Sequence, residues 1–137
     1  MVNDFIIATD FDGTIVSNKF PEIGEPLKGF TDKLLIEELI DAQKNGAKII
    51  LWTCRLGKQL ENAIEYCKLK GLVFDAVNDD LDSIKEHFGE TYKYWQENKY
   101  PEARKIFANI YIDDRAITNT FNSNLADYLK EVIRCDT

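Results

Sequence analysis

Two aspartates, Asp10 and Asp12, stand two positions apart just past an apolar run, Phe5 to Ala8. In extended backbone, alternate residues face one side, so both carboxylates share a face while the intervening Phe11 turns into the core. Carboxylates that close resist joint ionisation unless a cation lies between them. Magnesium is the natural cation, because it prefers hard oxygen ligands and is commonly held by one or two carboxylates, waters and a substrate phosphate. A second acidic pair, Asp113 and Asp114, follows the apolar run Ala108 to Ile112 and offers further ligands. One Asp-x-Asp alone is more often a turn or a cap; the second pair, ending another apolar run, favours a site. Residues suited to a phosphoryl group stand nearby. Thr53 follows the run Lys48 to Trp52 with a hydroxyl to donate, and Lys105, before Asp113, carries neutralising charge. Gly13 lets the chain turn sharply where a side chain would block a bound group. Arg55 and Asn78 sit just past strand ends, where contact with substrate and local backbone contact are equally open.

These residues need a scaffold that brings strand ends together. The runs Phe5 to Ala8, Lys48 to Trp52, Leu72 to Val77 and Ala108 to Ile112 are continuously apolar, which predicts strands buried on both faces. Between the first two, Phe30 to Asn45 has Leu34, Leu35, Leu39 and Ile40 at helical spacing, with Thr31 or Asp32 as N-cap and Gly46 as stop. Leu60, Ala63, Ile64 and Cys67 repeat the pattern up to Gly71, and Leu125 to Ile133 predicts a C-terminal helix. Alternating strands and helices predict an α/β fold: a single Rossmann-like domain over 1-137, with a central parallel sheet flanked by helices. Ligands of such sheets bind beyond the carboxyl ends of the strands, where Asp10, Thr53 and Asp113 fall. Ser17 to Gly29 reads as a structured loop, and Asn78 to Lys99 as an excursion that is helical in part. Tyr92, Tyr94 and Trp95 there suit packing or an oligomer contact better than a ligand platform. Asp79, Asp80 and Asp82 lack the glycine and distal glutamate of a calcium loop, so a solvated turn is expected.

Composition narrows the chemistry further. The chain has 137 residues, 45% of them hydrophobic, and a net charge of -7, which is the wrong sign for coating nucleic acid or anionic lipid. Nucleic acid is therefore not an expected partner. No apolar run approaches a membrane span and no leader pattern opens the chain, so a cytoplasmic protein is expected. Three cysteines without a CxxC pair fit neither a disulfide framework nor a thiolate metal site. One histidine, and no serine in a GxSxG frame, leave the chemistry to carboxylates.

IIATDFDGTIV, IILWTCR and RKIFANIYIDDRA, in that order, resemble the motifs of the haloacid dehalogenase-like superfamily. Its aspartate-dependent phosphatases open with hhhhDxDGT, continue with hhhT and close with a lysine before hhhhDD. FPEIGEP after the first motif and WTCRLG at the second resemble the small capless members, and the IDDR ending is also similar to deoxyribonucleotidases. The resemblance implies a magnesium-dependent phosphomonoester hydrolase acting on a small phosphorylated metabolite, a nucleotide or a sugar phosphate. It implies Asp10 as nucleophile, Asp12 as general acid and base, and Asp10, Asp12, Asp113 and Asp114 around Mg2+. Thr53 and Lys105 would clamp the phosphoryl oxygens, with backbone amides after Asp12, at Gly13 and Thr14, as added donors. Only 39 positions separate Thr14 from Thr53 and 52 separate Thr53 from Lys105, so no large cap domain fits. The open site would suit a bulky substrate or a homo-oligomer that covers it. The alternative is a non-catalytic phosphate- or metal-binding module, such as a receiver-like signalling domain. A receiver places its acidic pair, threonine and lysine in a different order.

Overall fold

The computed structural model describes residues 4–97 and 106–113. The elements run β1 (Ile6–Thr9), α1 (Leu35–Lys44), β2 (Lys48–Leu51), α2 (Gly57–Lys70), β3 (Ala76–Val77), α3 (Asp82–Phe88), α4 (Glu90–Glu97) and β4 (Ile110–Ile112). The strands form one four-stranded sheet in the order β3-β2-β1-β4, with every pairing parallel. This is an α/β, Rossmann-like architecture, with no large cap among the described residues. No helix among the described residues is long and apolar enough to cross a membrane.

The sheet is covered on both faces. Ile7, Ile49, Leu51 and Ile112 pack against Leu35, Ile36 and Leu39 of α1 and Ala63 and Cys67 of α2. On the opposite face, Ile6, Ala8 and Ile50 meet Leu81, Ile84 and Ile106. Each Ile or Leu taken wholly from water contributes roughly 1.5–3 kcal/mol. The central strands are therefore the most firmly specified part of the chain, and β1 and β2 lie where the apolar runs place them.

The edges differ from expectation. β3 is confined to Ala76–Val77 rather than Leu72 to Val77, because Asp75 takes over the ladder: its amide donates to the Ile49 carbonyl at 2.8 Å and its carboxylate accepts from the Ile49 amide at 2.8 Å. Asn109 does the same before β4, donating its amide to the Ile6 carbonyl (2.8 Å) and accepting from the Ile6 amide through its side chain (2.7 Å). α1 begins at Leu35, so neither Thr31 nor Asp32 caps it. Glu38 instead reaches back and accepts from the amides of Phe30 (2.8 Å) and Thr31 (2.7 Å), holding that stretch as a turned loop. α2 ends as predicted: Gly71, at φ 109, and Leu72 donate to the carbonyls of Lys68 and Cys67.

The expected excursion after Asn78 is a pair of short helices, and the solvated acidic turn is corrected. Asp80 is only 3% exposed. Its carboxylate accepts from the Tyr92 hydroxyl at 3.0 Å and the Phe107 amide at 2.6 Å, tying α4 to the segment that enters β4. Buried Tyr92 is a packing residue, as expected, whereas Tyr94 is exposed. The C-terminal helix expected over Leu125 to Ile133 lies outside the described residues.

Candidate active site

Sheet register assembles the site. Thr9 pairs with Leu51 on one side and Ile112 on the other, so Asp10 leaves β1 between Trp52 and Asp113. The Asp10 amide donates to the Ile112 carbonyl at 2.9 Å, and the Trp52 amide donates to the Thr9 carbonyl at 2.8 Å. Neighbouring strands lie about 4.8 Å apart, so Asp10 and Asp113 bring two half-buried carboxyl groups to one rim. One Asp10 oxygen accepts from the Phe11 amide at 2.8 Å, which orients the carboxylate. Phe11 itself is fully buried, as the alternation predicts.

Asp12 goes elsewhere. Its two oxygens accept from Nε and Nη2 of Arg55, both at 2.8 Å, in a bidentate pair. Arg55 is 1% exposed. Its guanidinium also donates to the carbonyls of Pro21, Glu22 and Gln59, and lies 5.0 Å from the Phe11 ring and 5.1 Å from the Phe20 ring. Arg55 is thus a buried clamp on Asp12 and the FPEI loop, so of the two readings open for it the local contact is the one formed, and the substrate contact is corrected.

Asn78 resolves the same way. At φ 52 it is left-handed; its amide donates to the Leu51 carbonyl (2.7 Å) and its side-chain oxygen accepts from the Thr53 amide (2.8 Å). It holds Thr53 in place. The Thr53 hydroxyl accepts from the Arg55 amide at 3.2 Å, which leaves its own hydrogen to donate.

The turn after Asp12 corrects a further expectation. The Gly13 amide donates to the Val16 carbonyl at 2.7 Å, and the amides of Thr14, Ile15 and Val16 all point at the Phe11 carbonyl. Gly13, at φ 79, makes this turn, so Gly13 and Thr14 shape the loop rather than offer amides to a phosphate. The Thr14 hydroxyl is buried and has no partner among the described residues.

Lys105 and Asp114 lie outside the described residues. Among those described, no three His, Cys, Asp or Glu side chains form a metal-holding group. Asp12 does not join Asp10 and Asp113 because Arg55 occupies its carboxylate. Asp10 and Asp113 still fit Mg2+, since two hard oxygen donors are the usual protein share for that ion. Cys54 is exposed and Cys67 buried, both free thiols; burial pushes the Cys67 thiol up to about 12. Burial also raises Tyr111, whose hydroxyl donates to the Ile106 carbonyl.

Sequence reasoning missed three things: the Arg55–Asp12 clamp, the buried role of Asp80, and the rings beside Asp10. Trp52 packs on Tyr111 with centroids 5.5 Å apart. An arginine straight after a buried strand, 43 positions beyond an aspartate, was the available signal for the first.

No family model matches the chain, and no curated protein matches it. A solved structure described as that of a conserved protein coded by a locus from Bacteroides thetaiotaomicron superposes with a TM-score of 0.68, at 35% identity over 94% of this chain and 92% of that one. At that identity and coverage, the chain belongs to the same family as this conserved Bacteroides thetaiotaomicron protein.

Proposed function

We propose that this protein is a magnesium-dependent phosphomonoester hydrolase that works through a phosphorylated Asp10. The observation that supports it best is the register that puts Asp10 between Asp113 and Trp52-Thr53 at the carboxyl edge of a parallel sheet. The Phe11 amide orients the Asp10 carboxylate, and an oxygen of that carboxylate is the nucleophile. It forms a bond to phosphorus as the bond from phosphorus to the leaving oxygen breaks. Thr53 donates its hydroxyl hydrogen to a phosphoryl oxygen. Lys105 supplies the positive charge that the phosphoryl group requires.

Asp12 protonates the leaving oxygen and then takes a proton from the water that releases phosphate from Asp10. Both tasks require its carboxyl group to swing off the guanidinium. The swing costs Nε its Asp12 partner, while the carbonyls of Pro21, Gln59 and Glu22 keep Nη1 and Nη2 in place. Asp10 and Asp113 would hold Mg2+, which when bound neutralises phosphoryl charge. The substrate is a small phosphorylated metabolite, a nucleotide or a sugar phosphate, as the motif resemblance implies.

The test is hydrolysis of an aryl phosphate with magnesium and with chelator, comparing wild type and Asp10→Asn. Activity that needs the metal and disappears in the variant is the expected result. A wild type that binds magnesium yet releases no phosphate from aryl, nucleotide or sugar phosphates would contradict the proposal and return the reading to a non-catalytic module.

A further inference from the structure

Trp52 is 37% exposed, although it follows a strand whose last three residues are buried. An indole has a large apolar surface to bury, and leaving a third of it in water beside a reactive carboxylate forgoes that gain. The sheet explains its position. Ala8 pairs with Ile50 on β2 and with Tyr111 on β4, and these three side chains share one face. Two residues further along the respective strands stand Asp10, Trp52 and Asp113, on that same face by alternation.

β2 and β4 flank β1, so their axes lie about 9.6 Å apart, yet the rings of Trp52 and Tyr111 come to 5.5 Å between centroids. Both rings lean over β1, and the small Ala8 beneath leaves room for them. The Tyr111 hydroxyl, donated to the Ile106 carbonyl, fixes its ring, and that ring props the indole. The ring pair thus lies over Ala8, with Trp52 level with Asp10 along the sheet and Tyr111 one same-face step before it.

We propose that Trp52, propped by Tyr111, is the stacking platform for a planar aromatic ring carried by the phosphomonoester, either a nucleobase or an aryl leaving group. The proposal rests on Asp10 being the phosphate site and adds the substrate class. Aromatic stacking on an exposed indole is sequence-tolerant and strengthens binding by roughly ten-fold or more. Such a ring would also shield the open rim that a cap would otherwise cover.

The experiment is calorimetric titration of the full chain, in chelator so that no turnover intervenes, with adenosine 5′-monophosphate, phenyl phosphate and ribose 5-phosphate. At least one aromatic ligand is expected to bind about ten-fold or more tightly than ribose 5-phosphate, and the tighter of the two identifies the ring. Trp52→Leu is expected to abolish that advantage while leaving ribose 5-phosphate affinity unchanged, and Trp52→Phe to retain much of it. Equal affinity for all three ligands in wild type, a comparison that needs no variant, would overturn the proposal. So would an aromatic advantage that survives in Trp52→Leu. A wild type that prefers aromatic ligands but hydrolyses no phosphomonoester would uphold the platform and defeat the phosphatase reading. Hydrolysis without aromatic preference would do the reverse.

Discussion

A guanidinium with 1% exposure must satisfy its N–H groups within the protein, and Arg55 does so with Asp12 and three carbonyls. Arg55→Ala would strand the largely covered Asp12 carboxylate, and removing one partner of such a pair costs about 3–5 kcal/mol. Thermal unfolding should show a Tm lower by roughly 10 °C or more. Arg55→Lys should recover little of it, because an ammonium cannot reproduce the bidentate fork. A Tm within a few degrees of wild type in both variants would show that the clamp is dispensable. Sequence made the individual residues visible but not this pairing. Asp10, Thr53 and Asp113 could be placed because each follows its own strand. The Arg55–Asp12 contact spans 43 positions and exists only once β1 and β2 are side by side.

At the scale of elements, polar side chains set boundaries that periodicity alone misplaces. The Thr31 and Asp32 cap signals lose to Glu38, which satisfies two backbone amides at once and therefore starts α1 later. Its carboxylate fits only because position 29 has no side chain: a Cβ there would stand 1.6 Å from the Glu38 oxygen. Glu38→Ala and Gly29→Ala should each reduce stability by about 1–2 kcal/mol in denaturant unfolding. The double variant should lose less than the sum, because both changes break one arrangement. Additive losses would separate the two residues. The edge strands illustrate the same physics. Asp75 and Asn109 answer the ladder through side chain as well as backbone, so the apolar runs around them overstate β3 and β4. The central strands were legible because burial on both faces leaves no competing signal.

For the molecule as a whole, folding is coupled to pH through groups that burial keeps neutral. The Cys67 thiol moves from 9.0 to about 12. Below pH 9 both folded and unfolded chains carry the thiol, and this stability is fully present. Between pH 9 and 12 only the unfolded chain gives up the proton, so stability falls as pH rises, by at most about 1.4 kcal/mol per pH unit. Cys67→Ala or Cys67→Val should flatten that alkaline decline, measured by denaturant unfolding from pH 8 to 11; an unchanged slope would assign it to other groups, such as Tyr66 and Tyr111, which burial also raises. The proposed chemistry gathers at the carboxyl edge of the sheet, and its central step is a covalent one. The most direct measurement is acid quenching of the protein during incubation with a labelled phosphomonoester, followed by mapping of the labelled peptide. A hydroxylamine-labile phosphate on Asp10, absent from Asp10→Asn, is the expected result. Turnover with no label on the protein, or with label at another residue, would contradict Asp10 as the nucleophile.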